Sequence, residues 1–139
     1  MSSDKITDVS VAVSYSPNKQ KFLILKKDLS AEENPGKWQF PRKEIETNQP
    51  AKSALKQVEK ETGIKPELIR TGEPFELENR KEKFRFHPFL VLVDGDPELS
   101  EKYIKSAWID ARELRTYETA DGIEKSLRKT GVDFEQRRR

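Results

Sequence analysis

The sequence contains no cysteine, which excludes a disulfide framework, a thiolate-ligated zinc or iron–sulfur site and a cysteine nucleophile. A single histidine, His87, excludes a multi-histidine metal centre and argues against a Ser–His catalytic pair. Hydrophobic residues make up only 33% of the chain, and no run approaches the ~18 apolar residues of a membrane span. The opening Met1–Lys5 leads into no apolar signal-peptide core, so the expectation is a soluble, cytoplasmic protein with no membrane partner. Charge of one sign is also missing. The 27 Lys and Arg face 25 Asp and Glu, a formal balance of +2, so nucleic acid is not indicated as a partner.

What is present is length and pattern. A chain of 139 residues suits one domain and can bury a core without covalent staples. The expected boundary is a single domain over 1–132, followed by a frayed basic tail over 133–139 that ends Arg137-Arg138-Arg139. Val9, Val11 and Val13 alternate with Ser10, Ala12 and Ser14, a strand signal. A turn at Ser16–Lys19 and the apolar Phe22–Leu25 complete a predicted hairpin. Trp38 and Phe40 mark a short extended piece stopped by Pro41.

From Pro50 to Thr62 the period changes. Ala51, Ala54, Leu55 and Val58 fall on one face of a helix, with Pro50 in its first turn and Gly63 just past its end. Extended segments follow over Glu67–Leu77, Phe84–Val93 and Ser106–Ile109, then one helical turn at Ala111–Leu114. A closing helix is expected over Thr119–Thr130. Strands, one helix, strands again and a last helix give an α+β domain with a mixed sheet.

The window Gly36-Lys37-Trp38-Gln39-Phe40-Pro41 through Lys56-Gln57-Val58-Glu59-Lys60-Glu61-Thr62-Gly63-Ile64 resembles the Nudix (MutT-like) family, whose motif is G-x5-E-x7-R-E-U-x-E-E-x-G-U with U aliphatic. Trp108-Ile109-Asp110 and Glu113-Leu114 extend the likeness to the late part of the chain. The resemblance implies an α/β/α sandwich, with the Pro50–Thr62 helix on one side of the sheet and the closing helix on the other. It also implies hydrolysis of a pyrophosphate bond in nucleoside diphosphates linked to another moiety, with Mg2+ or Mn2+ held by helix glutamates.

Several motif positions differ. Glu61 stands at the last motif glutamate, whereas Lys60 and Gln57 replace the other two of the helix. Lys56 replaces the arginine, Asn48 the first glutamate, and Arg42-Lys43 the glycine pair. At ~100° per residue, 57, 60 and 61 share one side of the helix and Glu59 faces away. By the resemblance, Glu61 is the candidate catalytic group and, with Glu46, the candidate metal ligand. Arg42, Lys43, Lys56, Gln57 and Lys60 are the candidate phosphate contacts. Two cations ~4 Å apart repel by several kcal/mol in a semi-polar site, so a lysine there would oppose a metal ion and could bind phosphate in its stead.

Three functions remain open at this point. The first is binding of a nucleotide or other diphosphate-containing small molecule, with hydrolysis weak or lost. The second is metal-dependent hydrolysis using Glu61 and loop acids. The third is a non-catalytic module for a protein or RNA partner. His87, between Phe86 and Pro88, reads as a strand histidine with a satisfied hydrogen bond.

Overall fold

The structure is a computed structural model and describes residues 5–79 and 82–132. The predicted tail over 133–139 lies outside the described residues. Strands β1 (Ile6–Ser16) and β2 (Lys21–Lys27) form the expected hairpin, but only Tyr15–Phe22 and Ser16–Lys21 pair before the strands part. The wedge between them is filled by β3 (Trp38–Gln39), which pairs with β2, and β4 (Arg42–Glu44), which pairs with β1 at Val9–Val11. The Ala12 N–H donates to the Pro41 carbonyl at 2.9 Å and the Ile45 N–H to that of Asp8 at 2.8 Å, pinning the segment in place.

On its other edge β1 runs parallel to β7 (Glu82–Leu92) from Ile6–Lys83 to Tyr15–Leu92. The outer edge of β7 is shared. β5 (Glu67–Thr71) pairs antiparallel with its end and β6 (Phe75–Asn79) with its start. Pro88, which has no N–H to give, falls in the gap between the two partners. β8 (Tyr103–Ile109) pairs with β2 and begins three residues earlier than the Ser106 start expected from sequence. The added residues set Tyr103 opposite Lys27.

Helix α1 (Pro50–Thr62) covers one face of the sheet. Its limits follow from Pro50 in the first turn and from Gly63, whose left-handed φ of 73° ends it. Ala54 and Val58 pack with Ala12, Phe89, Val91 and Val93 of the sheet. The opposite face is larger and more aromatic. Val9, Val11, Val13, Phe40 and Phe86 pack there against Ile123 and Leu127 of α2 (Ile123–Lys129), with Leu114 of a short 3₁₀ helix (Ala111–Thr116). The domain is thus the expected α/β/α sandwich around a mixed sheet.

The closing helix starts four residues later than its apolar spacing suggested. Thr119 instead forms a parallel bridge to Trp38, and the Ala120 N–H donates to the Trp38 carbonyl at 3.0 Å, which holds this stretch extended. Gly122 then makes the sharp turn at φ 87°, and a Cβ there would come within 2.2 Å of the Phe86 ring. His87 meets the expectation of a satisfied strand histidine, with Nε2 2.9 Å from Asp8 Oδ1. No helix among the described residues is long and apolar enough to cross a membrane.

Candidate functional site

The last turns of α1 carry Gln57 and Glu61, one turn apart and both buried. Two backbone hydrogen bonds fold the loop before β8 across this helix end. The Glu98 N–H donates to the Thr62 carbonyl at 2.8 Å and the Ser100 N–H to that of Glu61 at 3.2 Å. The start of β8 is thereby laid over Glu61. Tyr103 Oη donates to Glu61 Oε1 at 2.7 Å, Gln57 Nε2 donates to Oε2, and Lys102 Nζ lies 3.8 Å from Oε2. Gln39 Nε2 donates to Tyr103 Oη at 3.1 Å. Glu61 is only 1% exposed, so this chain of donors replaces water around its carboxylate.

The electrostatics follow from that burial. Loss of water raises the Glu61 carboxyl above its ordinary range, against the opposing pull of Tyr103, Gln57, Lys102 and Lys27. Burial first, and then the Glu61 charge and its hydrogen bond, push the Tyr103 phenol far above its usual value, so it stays a proton donor. Burial also lowers Lys27 and Arg42 from their ordinary values, partly offset by Glu33 in both cases. Arg42 still holds its charge at any ordinary pH. Its guanidinium is fixed from two sides: Nη1 donates to the Asp121 carbonyl at 3.3 Å, and its carbon stands 5.2 Å over the Phe86 ring.

These groups line a cleft of about 250 Å3. Five sequence-predicted residues meet on its walls: Arg42, Lys43, Glu46, Gln57 and Glu61. Lys56 and Lys60 do not line it. They open onto an adjoining concavity of about 470 Å3 that shares Lys43, Glu46 and Gln57 with the cleft. Asn48, at the place of the first motif glutamate, lines neither. The cations that face Glu61 are instead Lys27 and Lys102, which sequence reasoning missed along with Tyr103 and Gln39. Lys27 comes from β2, Gln39 from β3, Tyr103 from β8 and Lys102 from the turn just before it, and they meet Glu61 only through strand pairing, so helical spacing carries no signal for Lys27, Lys102 or Tyr103. Gln39 lies within Gly36–Pro41 and reads there as an ordinary strand residue.

A divalent cation in this cleft would depend on its oxygen donors. Among the described residues no three His, Asp or Glu side chains come together as a metal site. Both Glu61 oxygens already accept hydrogen bonds, and the other carboxylates of the cleft, Glu33, Glu44 and Glu46, share it with Lys27, Arg42, Lys43 and Lys102 without gathering around one point. A hard cation wants several free anionic oxygens, and this donor set does not fit one. Gln39 Oε1 is buried without a hydrogen-bond partner among the described residues.

The NUDIX domain profile matches residues 6–130. The chain belongs to the Nudix family. Solved structures share this fold at low sequence identity. A MutT protein from Methanosarcina mazei Go1 is 22% identical, with 94% of this chain and 100% of that one covered and a TM-score of 0.77. A MutT Nudix hydrolase from Burkholderia pseudomallei is 16% identical, covering 91% and 98%, with a TM-score of 0.75. An Ap4A hydrolase from C. elegans is 17% identical, covering 89% and 94%, with a TM-score of 0.72. No curated protein sequence matches this Nudix chain.

Proposed function

We propose that this Nudix domain binds a diphosphate-containing small molecule, such as a nucleoside diphosphate linked to a second moiety, and that side-chain cations rather than metal ions hold its phosphates. The single observation that carries this reading is the company of Glu61: one buried acid with both oxygens engaged and Lys27 and Lys102 facing it, in a cleft that Arg42 and Lys43 also line. Charged donors of this kind make short, strong hydrogen bonds to phosphate oxygens. Arg42, clamped over Phe86, keeps its fork in one orientation, whereas the lysines act as adjustable point charges. Glu61 then serves to anchor Tyr103 and Lys102, and pyrophosphate hydrolysis is weak or lost.

The test is thermal unfolding and calorimetric titration with ADP-ribose and with ADP, each in Mg2+ and in EDTA. The expected result is stabilisation that persists in EDTA and falls in Lys27→Ala and Lys102→Ala. Binding that vanishes in EDTA, or Mg2+-dependent release of a nucleoside monophosphate that Glu61→Gln abolishes, overturns the reading in favour of a metal-dependent hydrolase using Glu61 and loop acids such as Glu46.

A further inference from the structure

The outward side of α1 carries lysines at every fourth position: Lys52, Lys56 and Lys60, all exposed. Four residues advance a helix by about 6 Å and turn it by about 40°, so the three form a slowly winding row. With Lys43 of β4 they line the concavity of about 470 Å3 beside the cleft, where Glu46 is the sole acidic residue of the lining. None of these four lysines has a carboxylate within ion-pair distance among the described residues. Other cations of the surface do, as in Lys21–Asp110, Lys37–Glu118 and Arg85–Glu76. Unpaired like charges held around one hollow repel one another and favour an anion that bridges them. The hollow adjoins the cleft, since Lys43, Glu46 and Gln57 line both. Its remaining walls, Thr47, Gln49 and Ser53, offer no aromatic ring on which a base could stack.

We propose that this lysine-lined hollow is a second anion subsite, which takes the phosphates beyond the first two of a linear oligophosphate chain whose end lies in the cleft. The proposal rests on the cleft being a phosphate site, and the test separates the two. Inorganic pyrophosphate, tripolyphosphate and a longer linear polyphosphate are titrated in EDTA into the wild type, a K52A/K56A/K60A variant and a K27A/K102A variant. Wild-type affinity is expected to rise about tenfold or more with chain length, the increment of one added charge-assisted contact. The triple variant should lose that rise and keep its pyrophosphate affinity, and the double variant should lose pyrophosphate.

Affinity independent of chain length, or a triple variant that matches the wild type, overturns the subsite. Equal affinity for poly-aspartate of matched charge also overturns it, by showing undirected charge attraction. Tighter binding of a single-stranded oligonucleotide assigns the face to nucleic acid instead. If the double variant binds every chain as the wild type does and the triple variant binds none, the hollow stands alone and the cleft reading falls.

Discussion

The two faces of the sheet use opposite materials. Toward α2 the strands present Val9, Val11, Val13, Phe40 and Phe86, a thick apolar layer. Toward α1 the central strand offers Ser10, Ala12 and Ser14, all fully buried but small and mostly polar. Ser14 Oγ donates to the Ala12 carbonyl at 3.0 Å, so its burial is satisfied within its own strand. The small residues admit α1 close to the sheet, and that closeness sets Gln57 and Glu61 in contact range of β8. One face supplies cohesion, and the other gives up apolar area to place a polar network.

Substitutions that exchange the character of the two faces test this division. The largest effect is expected from Phe86→Ala on the α2 side, which removes a ring that also backs Arg42 and Gly122. Urea unfolding should show a loss of about 3–5 kcal/mol, the usual cost of emptying an aromatic core site. A much smaller loss would mean that the α2 layer closes over the gap and is not the rigid side.

Tyr103→Phe tests the polar network directly. It deletes the donor to Glu61 Oε1 and leaves a buried carboxylate underbonded, so a loss of about 1.5–3 kcal/mol is expected. An unchanged urea midpoint would show that water enters the cleft and takes the place of the phenol.

Ala54→Leu probes the spacing of α1. Ala54 is 1% exposed against Ala12 and Phe89, and extra methylenes there should cost about 1–3 kcal/mol. Its second effect is the sharper one. A displaced helix carries Gln57 and Glu61 away from Tyr103, so EDTA-insensitive ADP binding should weaken as well, whereas Phe86→Ala at a temperature where it remains folded should affect it chiefly through Arg42.

The smallest effect is a change of slope with pH. Burial raises the Glu61 carboxyl above its unfolded value. The folded state therefore keeps a proton that the unfolded state gives up. This contribution is fully present below the ordinary glutamate range and fades as pH rises through the raised folded value. Glu61→Gln has no such proton, so its stability relative to wild type should improve as pH is raised upward from ~4.3, the reference value for glutamate. Urea midpoints of both proteins across that interval provide the check, and a constant difference would place Glu61 in contact with bulk solvent.

Local pattern made much of this legible in advance. Proline at one end and glycine at the other delimit α1 to the residue, and the alternation in β1 reports strand and faces together. The same alternation hides that Ser10 and Ser14 are as buried as the valines, because polarity alone suggests solvent. For the closing helix, the backbone demand of Trp38 for partners at Glu118 and Ala120 outweighs helix periodicity, and no window of adjacent residues contains that demand. The candidate site divides in the same way. Gln57 and Glu61 follow from spacing within one helix, whereas Lys27 and Tyr103 become neighbours only after β2 and β8 settle into register across a bulge at Lys26–Lys27.

The parallel pairing of β1 with β7 has a consequence for how the chain is made. β1 precedes every other strand among the described residues and is also a central one, and its ladder runs to Tyr15 opposite Leu92. Until that distant stretch has been synthesised, Val9, Val11 and Val13 have no lasting neighbour beyond a two-pair hairpin and a short β4. Assembly of this ladder therefore waits for residues some seventy-five positions further along the chain, the kind of distant pairing that slows folding.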